Sequence, residues 1–199
     1  DNQGVTALCG AIYCPKDEGL EIMKLILSDA RLDTTSIPLK KLPFHCAVDQ
    51  DSPKQLNILL EDGRFDINQK NSFGHPPIYY ACSNGNISIV KFIMEQDFQE
   101  VDFSHTATLS ASISFKRYKI VDMLVKDSRV PITEEHIKLA SGWKHPEETD
   151  DSEEYDTEFV PIVVEMIRRG LELPEEIHPK FKEKVHDKIS QNLKKSARK

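Results

Sequence analysis

Three histidines at regular intervals are the first residues whose type and spacing suggest chemistry. His45, His75 and His105 lie 30 residues apart, and imidazole nitrogens are common metal ligands. Cys9 and Cys14 add two thiols, which become ligands or nucleophiles once they are ionised. Whether these groups can act together depends on the elements that carry them.

The elements keep these residues apart. His45 belongs to a short helical pattern, whereas His75 and His105 fall in turns, at different positions of the repeat described below. Zinc sites usually show tighter ligand pairs than the C-x4-C spacing. A nucleophile such as Cys46 needs an oriented base and an oxyanion donor, and no motif supplies them. We therefore expect no catalytic residue, metal site or cofactor, and four reduced, mostly buried cysteines.

Length and charge bound the class of protein. The chain has 199 residues and a net charge of −7, and it opens on Asp1, so we expect a piece of a longer protein. Residues 180–199 hold eight basic and two acidic side chains, a local charge of +6, so the remaining residues carry −13. The body should repel nucleic acid. No apolar run is long enough to span a bilayer, and we expect a cytoplasmic or nuclear protein.

One short pattern occurs four times along the chain. Its copies are GVTALCGA, KKLPFHCA, GHPPIYYA and HTATLSAS, at 4–11, 40–47, 74–81 and 105–112. Their closing small residues are separated by 36, 34 and 31 residues; they are Ala11, Ala47, Ala81 and Ser112. Four copies in register indicate a structural repeat.

A second apolar pattern follows each copy. It occupies 22–26, 56–59, 89–93 and 120–124, and it ends 15, 12, 12 and 12 residues after the small residue. Pro43 and Pro77 suit the first position of a helix, and Gly85 suits the left-handed residue that ends one. The pattern predicts two short helices per unit. Helices this short are marginal alone, so each unit must stack on a copy of itself.

These units resemble the ankyrin repeat, which combines a β-turn with two antiparallel helices and carries a T-P-L-H-x-A signature. Thr6-Ala7-Leu8, Pro43-Phe44-His45-Cys46-Ala47 and Pro77-Ile78-Tyr79-Tyr80-Ala81 carry the resemblance, together with Gly85-Asn86 and Ile89-Val90. It implies an all-α ankyrin-repeat solenoid of about five helix-turn-helix repeats with β-turn fingers.

A fifth unit and a final helix complete the predicted organisation. Thr133 should cap a helix reaching Trp143, and about 15 residues are inserted before the second apolar pattern at 163–167. We expect this acidic insert, 144–158, to be a solvated loop that tolerates replacement of 145–157; a recognition or phosphorylation segment around Ser152 is the alternative. The last segment spaces Phe181, Val185, Ile189 and Leu193 four apart, which predicts an amphipathic capping helix.

The predicted boundaries follow from these patterns. We expect an ankyrin-repeat domain over 1–178 and a basic amphipathic C-terminal helix over 179–199. The predicted repeats are approximately 3–35, 36–69, 70–102, 103–131 and 132–173.

The resemblance also implies the function and the surface that performs it. Ankyrin-like proteins commonly bind other proteins through turn tips and the concave face of the first helices. The second turn is among the longest here and carries Phe73, which we interpret as an exposed anchor; the alternative is that Phe73 folds back on Pro76. The predicted partner-binding residues are Leu39, Lys41, Asp49, Gln50, Ser72, Phe73, His75, Ser83, Asn84, Phe103 and Ser104.

Two other functions stay open at the level of the sequence. The chain would be an accessory or targeting region of a larger enzyme or effector if the active domain lies elsewhere. Alternatively, the basic C-terminal tail would contact nucleic acid or an anionic membrane. In each case we expect a monomer without catalytic activity of its own.

Overall fold

The computed structural model divides the chain into two compact units, Asp1–Asp102 and Phe103–Lys199. It describes residues 7–14, 16–30, 32, 42–95, 101–103, 107–142 and 156–196. The described residues are helical, with turns between the helices and no strand. The predicted all-α repeat class is therefore confirmed.

The first unit holds three consecutive helix pairs. Their bounds are α1 Ala7–Ile12 and α2 Lys16–Leu27, α3 Pro43–Asp49 and α4 Pro53–Asp62, and α5 Pro77–Asn84 and α6 Ile87–Glu95. Within each pair the two helices pack together, and the pairs also pack in chain order: α3 contacts α1 and α5, and α4 contacts α2 and α6. The first helices thus form one layer, which we call inner, and the second helices an outer layer.

Proline and glycine fix where these helices begin and end. Pro43 and Pro77 occupy the first helical positions of α3 and α5, where a missing N–H costs nothing. Gly85 ends α5 with φ +87°, and Gly63 ends α4 with φ +73°. Both values lie in the left-handed region that glycine adopts without strain.

Small residues lie where the inner helices approach their neighbours. Ala11, Ala47 and Ala81 are all buried in the first unit. Apolar side chains of the outer helices, such as Met23, Leu56 and Val90, are fully buried as well. Burial of this kind supplies the stability that six- to twelve-residue helices lack on their own.

Hydrogen bonds tie each pair of the first unit to the next. Gln55 of α4 donates from Nε2 to the carbonyl oxygen of Ile12 at 2.9 Å. Asn86, just before α6, donates from Nδ2 to the carbonyl oxygen of Val48 at 3.1 Å. These bonds satisfy carbonyls that lie at helix ends, where no intrahelical donor remains.

The second unit holds two further pairs and a long final helix. Its helices are α7 Ala107–Ser114, α8 Tyr118–Lys126, α9 Glu134–Ala140, α10 Val160–Arg168 and α11 Pro179–Ser196, with a 3₁₀ turn at Thr157–Phe159. Helix α9 packs on α7, and α10 packs on α8 and α11. Phe181 and Val185 of α11 are fully buried, Ile189 is half-buried, and Leu193 is 67% exposed.

The first helix of the fifth pair begins where predicted and ends earlier. Thr133 caps α9 in a reciprocal arrangement with His136, as a capping residue should. However, α9 ends at Ala140 rather than reaching Trp143. Gly142 has φ +72°, a left-handed conformation that terminates a helix. Most of the acidic insert, residues 144–155, lies outside the described residues.

The last residues of the insert belong to the folded unit. Asp156 accepts hydrogen bonds from Tyr118 Oη at 2.5 Å and from the Glu158 N–H at 3.1 Å. It also pairs with Lys116 at 3.2 Å. The expectation that 145–157 can be replaced with little loss of stability stays a prediction. At Asp156 the replacement would remove a carboxylate that joins the start of the 3₁₀ turn to α8.

Candidate functional site

The turn before α5 is held closed by one asparagine. Asn71 Oδ1 accepts from the backbone N–H groups of Phe73 at 2.9 Å and of His75 at 3.2 Å. The backbone closes the same turn, since Asn71 N–H donates to His75 O at 3.0 Å and Gly74 N–H to Asn71 O at 2.9 Å. Gly74 has φ +78°, which an L-residue adopts only with strain. The tip is therefore rigidly built.

Phe73 projects from this closed tip. Its side chain is 75% exposed. The alternative, in which the ring folds back on Pro76 and is shielded from water, is therefore not observed. Ser72 is also exposed, and His75 is half-buried. An exposed aromatic on an ordered turn loses little conformational freedom on binding, which favours an anchor role.

Aromatic rings continue from the tip along the inner helix α5. The His75 ring stacks on Tyr79 with centroids 3.8 Å apart and planes 11° apart. Tyr80 meets His45 of α3 edge-on, with centroids 5.3 Å apart. Tyr79 and Tyr80 are half-buried, so each exposes part of a ring. The sequence-based prediction omitted both tyrosines.

His45 links this region to the preceding pair. Its Nε2 lies 3.0 Å from the carbonyl oxygen of His75, so the ring donates from Nε2–H. Burial lowers the pKa of His45, against the opposing influence of that carbonyl and of Asp49. The imidazole is thus a neutral structural donor, with a role in positioning the turn rather than in catalysis.

The opposite ends of the inner helices carry a second group of exposed polar residues. Asp49 and Gln50 are exposed at the end of α3, and Asn84 is exposed and Ser83 half-buried at the end of α5. Ser83 donates from Oγ to the Tyr80 carbonyl at 3.1 Å. Helix α5 has eight residues, so about 12 Å of helix separates these residues from the Phe73 tip. The predicted site is two patches rather than one cluster.

Tyr13 extends the second patch into the first pair. Its hydroxyl donates to Asp49 Oδ2 at 3.1 Å, and its ring is partly exposed. Burial and the nearby Cys46 and Asp49 raise the pKa of Tyr13 above its ordinary value. Tyr13 follows Ala11 by two residues, as Asp49 follows Ala47 and Ser83 follows Ala81. That register was the signal that could have identified it.

Of the remaining predicted residues, only Phe103 lies within the described part of the chain. Phe103 is 4% exposed and its ring lies under the Arg129 guanidinium, 4.9 Å from centroid to Cζ. The ring is core rather than contact surface, and its prediction as a binding residue is corrected. Leu39, Lys41 and Ser104 lie outside the described residues.

The described residues hold no group of three or more His, Cys, Asp or Glu side chains placed to bind a metal ion. Cys9, Cys46 and Cys82 are buried free thiols, and Cys14 is half-buried. On the inner helices, His45 bonds to the His75 carbonyl oxygen and Asp49 accepts a hydrogen bond from the Tyr13 hydroxyl.

A family model described as ankyrin repeats (3 copies) matches residues 44–134. This segment, residues 44–134, contains ankyrin repeats. The matched segment runs from the start of α3 to the first residue of α9, so it spans three of the helix pairs. No curated protein and no solved structure gives a match.

The family match indicates a general class of function. Ankyrin repeats are protein–protein interaction modules, and repeat arrays bind through the extended surface that successive units build together. Within the described residues, no helix is long and apolar enough to cross a membrane. The family match therefore supports the predicted class of function, without naming the partner.

Proposed function

We propose that the first unit binds a protein partner through its turn tip and inner helices, with Phe73 as the anchor. The observation that carries the proposal is the 75% exposure of Phe73 on a turn held by Asn71 and Gly74. Truncating an anchor residue typically costs more than about 1 kcal/mol of binding free energy. Phe73→Ala should cost that much here.

The contact surface follows the inner layer from the tip to the helix ends. Tyr79 and Tyr80 offer partly exposed rings beside the tip, and tyrosine is enriched at interface centres because it joins an apolar ring to a polar group. Asp49, Gln50, Ser83 and Asn84 supply hydrogen-bonding groups at the far end. A partner that contacts both patches must be extended over more than about 12 Å, the length of α5.

The proposed array comprises five repeats over 1–178, of which the matched segment covers three. The support for the first and fifth is their helix pairs, α1–α2 and α9–α10, which pack on the neighbouring pairs of their own units. The proposal assigns no catalytic step to the array. A larger protein that included it would use it for targeting or assembly.

The test begins with binders selected from a displayed peptide library on the immobilised chain. Dissociation constants are then measured for the parent, for Phe73→Ala and for the control Leu25→Ala, whose side chain is 73% exposed on the outer helix α2. We expect Phe73→Ala to weaken the selected binders more than fivefold at an unchanged unfolding midpoint, and Leu25→Ala to leave affinity unchanged. Equal affinity for Phe73→Ala and the parent would contradict the proposed anchor role of Phe73.

A second candidate function rests on α11. Its apolar stripe ends on the exposed Leu193, and Lys194 and Lys195 beside it are exposed as well. A basic helix with an uncovered apolar residue has the composition of a contact for an anionic surface. Salt-sensitive binding to anionic vesicles, RNA or DNA that disappears in Lys194→Gln/Lys195→Gln, with Phe73→Ala unaffected, would favour this function over the first.

A further inference from the structure

Two large aliphatic side chains on the outer helix α2 face water. Leu25 is 73% exposed and Ile22 is 40% exposed. They are three residues apart in one helix, so they lie on neighbouring turns of the same face. A terminal repeat in an array needs a polar outer face for solubility. The Ile22–Leu25 face of α2 lacks that property.

The same positions of the later outer helices are covered. In the repeat register, Ile22 corresponds to Gln55 of α4 and to Ile89 of α6, which are 3% and 0% exposed. Leu25 corresponds to Ile58 and Phe92, and both are half-buried. The exposure is therefore a property of the place of α2 in the stack and not of the residue pattern.

The cover in the later pairs comes from the pair that precedes each one. Gln55, at the position of Ile22, donates its side-chain N–H to the carbonyl of Ile12 in the preceding pair. Helix α4 packs on α2, and α6 packs on α4. The face that α2 leaves open is thus the continuation of an interface that already exists twice in the same unit.

We propose that the Ile22–Leu25 face is a stacking surface that takes one further ankyrin-type helix pair ahead of α1. The chemistry expected of the occupant is that of α4, the outer helix that packs on α6, and α6 carries Ile89 and Phe92 at the equivalent positions. A second copy of the chain cannot supply this contact head to tail through α10, because α11 buries Phe181 and Val185 against it. The proposal concerns the outer layer and is independent of the Phe73 tip.

The test adds such a pair to the full chain. A copy of residues 42–70 is fused directly ahead of Asp1. The copied Asp62, which ends the added second helix, then lies 19 residues before Ala11. This is the separation between Asp62 and Ala81 in the chain itself. Amide hydrogen exchange of α2 is compared between the parent and the fusion. We expect protection of the α2 amides to rise at least tenfold in the fusion, with the added helices themselves protected.

Matched variants separate stacking from a general gain in stability. Leu25→Glu should abolish most of the added protection in the fusion and leave α2 protection in the parent within about twofold, as exposed substitutions usually do. Leu193→Glu, at a similarly exposed leucine of α11, should change neither. Added helices that stay unprotected, or a Leu25→Glu effect of equal size in both chains, would overturn the proposal.

Discussion

Arg169 donates a hydrogen bond from Nη1 to the carbonyl oxygen of Val125, at 3.1 Å, near the end of the preceding outer helix α8. Its guanidinium also reaches the carbonyl oxygens of Asp127 at 3.1 Å and Val130 at 3.2 Å. In the first unit, Arg64 bonds in the same way to Leu27 at 2.6 Å and Asp29 at 3.2 Å, after the end of α2. An arginine after one outer helix thus caps the previous one, where carbonyls lack intrahelical donors.

Loss of this cap should loosen the stack in the second unit. We expect Arg169→Met, which keeps the aliphatic stem, to lower the midpoint of urea unfolding and to speed hydrogen exchange at the end of α8. The neighbouring Arg168 pairs with Glu165 on the exposed face of its own helix, so Arg168→Met should cost no more than about 0.5 kcal/mol. Equal effects of the two substitutions on α8 would show that charge, and not the cap, is what matters.

The sequence predicted the residues that end and start helices better than those that join repeats. Pro43, Pro77 and Gly85 act through their own backbone, so their positions can be recognised without knowing any neighbour. Arg64 belongs to a recurring Asp-x-Arg triplet at 29–31, 62–64 and 127–129 that the repeat alignment could have included. Arg169 belongs to no such triplet, and only the packing of α10 on α8 reveals its partners.

In the candidate site, too, local features could be predicted better than contacts between distant residues. The exposure of Phe73 could be predicted because the closed turn is local: Asn71, Phe73 and Gly74 lie within four consecutive residues. Phe103 could not be assigned, because its burial depends on Arg129, which lies 26 positions later in the chain. Tyr13 was missed because its role depends on a contact with Asp49 in the next pair.

Acid should weaken the first unit through His45. Burial lowers the pKa of His45 in the folded protein, although the His75 carbonyl and Asp49 oppose that shift. Below the unfolded value of about 6.5, the unfolded chain therefore binds more protons than the folded chain. Stability is fully present above that pH and is lost as the pH falls through it. We expect a lower urea midpoint at pH 5.5 than at pH 7.5.

His45→Gln should flatten this pH dependence, because glutamine keeps an N–H donor for the His75 carbonyl and does not titrate. The difference between parent and variant isolates His45 from other groups. The carboxyls of Asp62 and Asp127, whose pKa values are lowered chiefly by hydrogen bonds from Arg64 and Arg129, titrate at lower pH. An identical fall in midpoint for both proteins would exclude His45 as the cause.

The acidic insert should tolerate replacement only as far as Asp156, which bonds to the folded unit. Exchanging 145–154 for a Gly/Ser linker should change stability little, because loop-closure entropy varies slowly with length. Asp156→Asn should cost about 0.5–1 kcal/mol, a value kept small by solvent screening. Tyr118→Phe removes the same hydrogen bond and keeps the ring against Phe159, 4.8 Å away between centroids. The two losses should therefore be less than additive in the double variant.

The Asp156 contact should also titrate at low pH. Burial opposes ionisation of Asp156, but hydrogen bonds from Tyr118, the Glu158 N–H and Lys116 outweigh it and hold its pKa below the usual range. The same Tyr118 bond raises the pKa of that phenol to about 12. The Asp156 contribution is present above about pH 4 and disappears as the pH falls below it. If the losses of stability from Asp156→Asn and Tyr118→Phe were additive at pH 7, the two groups would contribute independently of each other.

Helix α11 should contribute to the second unit through its first half alone. Phe181 and Val185 are fully buried where α11 packs on α10, so Phe181→Asp removes a core ring and places a carboxyl in its site. Such a change typically costs about 3 kcal/mol or more. We expect a lower urea midpoint and concentration-dependent light scattering, because the apolar surface of α10 becomes exposed. Leu193→Asp makes the same chemical change on the same helix at a side chain that is already 67% exposed. That control should leave the urea midpoint and the light scattering unchanged. A Phe181→Asp protein as stable as the control would contradict the packing role of α11.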